Sequence, residues 1–265
     1  MSGTRMRAVV TGGTSGIGLA IVKQFSEKGA VVYALARREA ELPEGVTFIP
    51  CDVTDEASCA SAVETILSRE GRIDVLVNNA GFGISGAVEF TELKEAKRQF
   101  DVNFFGMVNM TKAVLPSMRE NGGGRVINMS SVAAITPIPY QTYYSASKAA
   151  INAYTMALQN EVRGYNIKVS ALMPGDVKTG FTAARAKSMA GSAVYPSLEK
   201  SVRTMEHDEQ NGMPPEALAR RAYHIATRRR PKPLYSCGFV YCLFCVLAKL
   251  LPARLVNWIL SKLYG

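Results

Sequence analysis

Residues 143–148 read Tyr-Tyr-Ser-Ala-Ser-Lys, in a stretch otherwise suited to helix. Tyr144 and Lys148 are four residues apart, and positions i and i+4 share one helix face. Reducing a ketone needs a hydride at carbon and a proton for the developing alkoxide. A tyrosine with its ordinary pKa of about 10 shares that proton poorly near neutrality. A neighbouring ammonium favours the phenolate and is expected to lower the tyrosine's pKa. Tyr143 is turned about 100° around the same helix and has Ser147 one turn on, so it reads as packing or pocket wall. Ser131 is a candidate donor to the substrate oxygen in a preorganised site. Ser130, its neighbour on a strand, points to the opposite face.

Upstream, residues 11–18 read Thr-Gly-Gly-Thr-Ser-Gly-Ile-Gly. Glycines at 12, 16 and 18 let the backbone turn tightly and approach a ligand, and a helix opening there aims its first amides at a pyrophosphate. At the end of the next apolar run stand Ala36, Arg37 and Arg38. An NAD-preferring fold places an acid there against the ribose 2′-hydroxyl. An arginine fork instead pairs with a 2′-phosphate, which an acid would repel. NADP is therefore expected over NAD, and NADPH-driven reduction over oxidation. Glu39 is the acid that a small loop shift would bring to the ribose, and a solvated strand end is the other reading of the two arginines.

The chain order supplies a scaffold for these groups. Short β-branched runs at 7–11, 31–35, 47–50, 73–78, 125–129 and 168–173 alternate with helical stretches near 16–28, 55–69, 93–119 and 142–164. This pattern predicts an α/β fold, a doubly wound Rossmann-type parallel sheet of about seven strands flanked by helices on both faces. From 176 to 213 the pattern loosens, at the carboxyl end of a strand where ligand-covering loops sit. His207 reads as a loop histidine there, and no metal site is expected. A helix over 214–228 follows, with Pro and Glu suited to its first turn. At 265 residues and 48% hydrophobic, the chain is expected to form one catalytic domain over 1–265, with a helical extension over 234–265.

These motifs in this order resemble the short-chain dehydrogenase/reductase family, over roughly residues 6 to 233. The resemblance implies a cofactor loop of Gly12, Thr14, Ser15, Gly16, Ile17 and Gly18, with Asp52 and Val53 of "CDVTD" at the adenine. It implies that "NNAG", with Asn79, Ala80 and Gly81, lies beside the cofactor, and that Pro174, Gly175, Val177 and Thr179 form the nicotinamide-side loop. Ser131, thirteen residues before Tyr144, has the usual spacing of the family's serine. Asn103 of "DVNFFG" matches the catalytic asparagine and would hold a water joining Lys148 to solvent. Lys148 would also hold the nicotinamide ribose, and Tyr144 would stand against nicotinamide and substrate alike. Homodimers or homotetramers are implied, with contacts through the helices around 93–119 and 142–164.

The formal charge of +9 belongs to the far end of the chain. No acid follows Glu216, and nine lysines and arginines between Arg220 and Lys262 account for the excess. This says something about the tail's neighbours rather than the fold. The excess sits in an apolar tail without a recognition motif, so nucleic acid is not an expected partner. Five cysteines, an odd number, with no signal-like apolar segment in "MSGTRMRAVV", point to reduced thiols and a cytoplasmic protein. Cys242 and Cys245 read as apolar thiols rather than a redox or metal pair.

The uncharged run Gly238–Ala248 is too short to span a bilayer. Residues 253–263 read as an amphipathic helix with Leu255, Val256, Ile259, Leu260 and Leu263 in its apolar stripe. Such a tail could be a subunit or core contact, a lid over a lipophilic substrate, or a basic helix resting on an anionic membrane. It resembles the tails of relatives acting on steroids, retinoids and acyl lipids. A bulky apolar ketone or alcohol is expected, a hydroxysteroid ahead of acyl-dihydroxyacetone phosphate or another lipid or retinoid carbonyl. The phosphate lipid would require Arg228–Arg230 to face the pocket mouth. A non-enzymatic NADP(H)-binding regulator is the alternative of another class.

Overall fold

The computed structural model describes residues 5–264; residues 1–4, part of the segment read for a signal, and residue 265 lie outside the described residues. In chain order the strands are β1 (Arg7–Thr11), β2 (Val31–Ala36), β3 (Val46–Pro50), β4 (Val75–Asn78), β5 (Ile84–Ser85), β6 (Gly124–Met129), β7 (Ile167–Pro174), β8 (Ala186–Lys187) and β9 (Leu234–Cys237). Seven of them form one parallel sheet in the order β3-β2-β1-β4-β6-β7-β9, while β5 and β8 pair separately. Both faces of the large sheet are covered, which is why its strands read as continuous apolar runs; Ala8, Val9 and Val10 of β1 are wholly buried.

On one face α1 (Gly16–Glu27) packs with a later helix, α8 (Pro215–Thr227), through Ile21, Phe25, Leu218 and Ile225. On the other, α2 (Glu56–Glu70), α4 (Gly106–Glu120) and α5 (Thr142–Glu161) bury Ile66, Met110, Val114 and Leu158. This is the Rossmann-like arrangement the alternating pattern predicts. The seventh strand, β9, lies at the start of the segment assigned to the tail. Its sequence Leu-Tyr-Ser-Cys has no β-branched residue, which hid it.

The helical stretch expected near 93–119 is present: α3 (Leu93–Phe100) runs on into α4 through a π-helical turn at Asp101–Phe105. The segment after β7 departs from expectation. The 176–213 segment is not a loose loop throughout. It holds α6 (Phe181–Ala184) and α7 (Leu198–Gln210), whose Leu198, Ser201, Val202 and Met205 are buried at helix spacing. His207 therefore sits on a helix. The helix expected over 253–263 is α10 (Ala253–Tyr264); α9 (Phe239–Leu250) precedes it, and the two are separated at Pro252, where a residue before proline disfavours helix.

A chain of buried amides ties the layers together. Asn78 Nδ2 on β4 donates to Thr111 Oγ1 of α4 (3.0 Å) and to Asn128 Oδ1 of β6 (2.9 Å). Asn128 Nδ2 then donates to Thr155 Oγ1 of α5 (2.9 Å). Asn128→Ala removes the buried partner of one Asn78 amide hydrogen and of the Thr155 hydroxyl, and is expected to lower unfolding free energy by about 1–3 kcal/mol. A urea midpoint equal to the parent's would refute that role.

Candidate active site

In the sheet order, β1 lies between β2 and β4, so successive connections leave to opposite sides and a crevice opens beyond the carboxyl ends of the strands. Thr11, the last residue of β1, is buried behind its near end. Its hydroxyl accepts from the amides of Asn79 (2.9 Å) and Ala80 (3.0 Å), and Asn79 Nδ2 donates to the Thr11 carbonyl (3.0 Å). The glycine loop follows. A Cβ on Gly18 would collide with the Gly12 carbonyl and the Asn79 amide, so only glycine allows the loop to fold under "NNAG".

From this loop a cavity of about 510 Å³ runs past Tyr144 to the tail helices. Its wall contains Gly12, Ser15, Gly16, Ile17, Asn79, Ala80, Gly81, Ser131, Tyr144, Lys148, Pro174, Gly175, Val177 and Thr179 of the expected site. Thr14, Gly18, Arg37, Arg38, Asp52, Val53 and Asn103 lie outside that wall. Arg37 and Arg38 are exposed at the end of β2. Asp52 accepts from the amide and hydroxyl of Thr54, and these bonds, with the nearby Arg37 charge, hold its carboxyl below the usual range. The glycine cradle, the helix opening behind it and the Arg37–Asp52 neighbourhood fit a nicotinamide dinucleotide.

Three expected residues, Ser131, Tyr144 and Lys148, converge at the middle of the cavity, and Asn103 stands behind them. Ser131 follows β6 and caps a short turn, its hydroxyl accepting from the Ala133 amide (3.1 Å). Lys148 is buried, its Nζ donating to the Met129 carbonyl (2.8 Å) and lying 5.5 Å from the Tyr144 ring centroid. Asn103, turned inward by the π-helical turn, accepts from the Phe82 amide (3.0 Å) and donates to the Phe82 carbonyl (3.0 Å) and Ser147 Oγ (3.3 Å). It thus reaches α5 through Ser147, the residue before Lys148. Tyr143 is half-buried outside the cavity wall, while the Ser130 hydroxyl donates to the Lys148 carbonyl (3.1 Å) and braces α5 against β6.

The electrostatics differ from the sequence expectation. Lys148 does not lower the Tyr144 pKa: burial pushes it up to about 12, while a hydrogen bond with Ser131 acts downward. Burial also brings Lys148 down to about 8. Both groups have given up water, and desolvation outweighs any attraction between them.

Sequence reasoning missed the residues that α7 and α9 bring. Glu209 lines the cavity, pairs with the buried guanidinium of Arg185 and accepts from Thr182 Oγ1 (2.7 Å). Tyr241 of α9 packs its ring over Gly175, in the space a Cβ would need, and donates its hydroxyl to Asp176 (2.5 Å). Phe181 faces the Tyr144 ring at 6.0 Å. The buried spacing of α7 was the available signal for Glu209; nothing local announces the Tyr241 contact. Beyond Tyr144 the wall turns apolar, with Phe244 and Leu247 from α9, Leu251 just after it, and Val256, Ile259 and Leu260 from α10.

A carbonyl oxygen placed between Ser131 and Tyr144 would meet a hydroxyl and a protonated phenol, with an ammonium behind them. A bound nicotinamide would supply the hydride, and these side chains are placed to supply the proton and hold the oxygen. The phenol stays protonated up to about pH 12, so the group that titrates near neutrality is Lys148, an ammonium below about pH 8 and an amine above it. The rate of carbonyl reduction is expected to fall as pH rises through about 8, and that limb to move upward in Lys148→Arg. A wild-type kcat/KM profile flat from about pH 6 to about pH 10 would exclude this assignment.

Comparison with known proteins bears on this geometry. Residues 6–190 match the family model described as short chain dehydrogenase. The chain is 40% identical to a 3-ketodihydrosphingosine reductase of Bacteroides thetaiotaomicron, covering 97% of each. It is 32% identical to an NADPH-dependent 3-dehydrocapnine reductase of Ornithobacterium rhinotracheale, covering 96% of each. Among solved structures it superimposes on a short-chain dehydrogenase from Streptomyces avermitilis with a TM-score of 0.87 and 30% identity, covering 99% of this chain and 98% of that one. With its Rossmann-like sheet, the chain belongs to the short-chain dehydrogenase family and is an oxidoreductase acting on CH–OH groups.

Proposed function

We propose that the protein is an NADPH-dependent reductase of a long-chain lipid ketone, producing the corresponding secondary alcohol. One observation carries this reading: a single cavity joins the Ser131–Tyr144–Lys148 group to an apolar wall built by two tail helices. Tyr144 gives the proton, Ser131 holds the substrate oxygen and Lys148 supports the phenol and the nicotinamide ribose. Asn103 positions this group through Phe82 and Ser147 and keeps the water that replenishes the proton. The catalytic domain would be the whole chain, with the 176–213 segment and the 234–265 extension facing substrate.

Among the apolar substrates left open by the sequence, a flexible acyl chain is favoured over a hydroxysteroid. Two relatives that match nearly full length are named as reductases of 3-ketodihydrosphingosine and of 3-dehydrocapnine. Acyl-dihydroxyacetone phosphate is disfavoured, because Arg228, Arg229 and Arg230 are exposed beyond α8 and none of them lines the cavity. NADP is preferred here because Arg37 and Arg38 are exposed at the end of β2, with the Arg37 charge acting on Asp52. A homo-oligomer is proposed through α4 and α5, where Phe105, beside the first residue of α4, and Met156 of α5 are exposed. Five free thiols suit a reducing cytoplasm.

Tyr144→Phe is expected to lower the rate of ketone reduction by about 10²–10⁴-fold with NADPH binding unchanged. Retained turnover in that variant would overturn the mechanism, while tight NADPH binding with no turnover of any ketone by the wild type would favour a regulator. Arg37→Ala/Arg38→Ala is expected to raise KM for NADPH about 10–100-fold and leave NADH kinetics nearly unaltered. Equal effects on both cofactors would remove the arginines from 2′-phosphate recognition.

A further inference from the structure

The tail helices present two apolar faces, and only one of them lines the cavity. On α9, Phe239, Leu243, Val246 and Leu250 recur at helix spacing and are all exposed, Phe239 at 86% and Leu250 at 75%. On α10, Arg254, Trp258 and Lys262 stand four residues apart along one stripe, with Trp258 58% exposed. Phe244 and Leu263 belong to both faces, lining the cavity and remaining exposed, which places them at its mouth. An apolar surface of this kind marks a contact with a partner or with lipid.

Charge distinguishes the two. The charged residues of α9 and α10 are Lys249, Arg254 and Lys262, all cations. A second copy meeting this face would bring like charges together, whereas an anionic bilayer surface is complementary. A tryptophan set between cations suits the headgroup level, where long basic side chains extend towards phosphate. Each helix is about 18 Å long, and among the described residues no helix is long and apolar enough to cross a membrane. Helices of this kind lie in the plane of the interface.

We propose that the α9–α10 hairpin docks on an anionic membrane surface, burying Phe239, Leu243, Leu250 and Trp258 among the headgroups. The substrate then passes from the bilayer into the cavity between Phe244 and Leu263, without crossing water. This entry route rests on the lipid-ketone reading; the docking does not. Docking also touches the chemistry, since Tyr241 couples α9 to Gly175 and Asp176 at the end of β7.

Trp258 is the sole tryptophan of the chain, so the full-length wild type carries its own probe. Vesicles of phosphatidylcholine with phosphatidylglycerol are expected to shift its emission to the blue, and bromolipids to quench it. Pure phosphatidylcholine is expected to bind at least about tenfold more weakly. A Phe239→Asp/Leu250→Asp variant, altered only outside the cavity wall, is expected to lose about tenfold or more in vesicle binding and in turnover of a vesicle-borne ketone. It should reduce a short soluble ketone at the parental rate. Emission indifferent to anionic vesicles, or unimpaired binding by the double variant, overturns the docking. A wild-type dimer that the double variant abolishes also overturns it, by assigning the face to a second copy. Docking without reduction of any long-chain ketone upholds the surface and instead overturns the substrate reading.

Discussion

A buried ammonium is the constraint around which this molecule is arranged. Lys148 gives up water to reach the middle of the crevice, and the bond from its Nζ to the Met129 carbonyl holds it there. That bond requires α5 to lie across the end of β6 at a fixed height. The Ser130 hydroxyl on the Lys148 carbonyl and the Asn128–Thr155 bond set this height from the strand side. Asn78 extends the same amide chain to β4 and α4, so the buried polar residues of the core and the position of the Tyr144 phenol are one system. A lysine kept dry without these braces would be a large cost to folding.

The division of labour follows from the sheet. The carboxyl ends of β1, β4, β6 and β7 carry groups with little freedom: the glycine loop, "NNAG", Ser131 and the Pro174–Gly175 turn. The helices beyond β7 and β9 build the apolar wall of the cavity. One aromatic residue joins the two regions, because the Tyr241 ring fills the space over Gly175 and its hydroxyl holds Asp176.

Much of this was legible in the residues. The alternation of apolar runs and helical stretches gave the parallel sheet, because each run is buried on both faces. The four-residue interval from Tyr144 to Lys148 placed both on one face of α5. What was not legible depended on contacts distant in sequence. The π-helical turn at 101–105 exists because Asn103 bonds Phe82 and Ser147, neither of them near it in the chain. The upward pKa of Tyr144 reflects burial by elements that no local pattern brings together. The strand β9 carries no β-branched residue and owes its place to pairing with β7. In α7, the apolar spacing was present in the sequence but was diluted by its many charged residues.

The most direct measurement follows the hydride. NADPH deuterated at the transferring C4 position, mixed with a long-chain 3-keto lipid in vesicles, should give an alcohol with one deuterium on the carbinol carbon, read by mass spectrometry. An alcohol without that deuterium, or no alcohol from any long-chain ketone while NADPH is bound, would contradict the account.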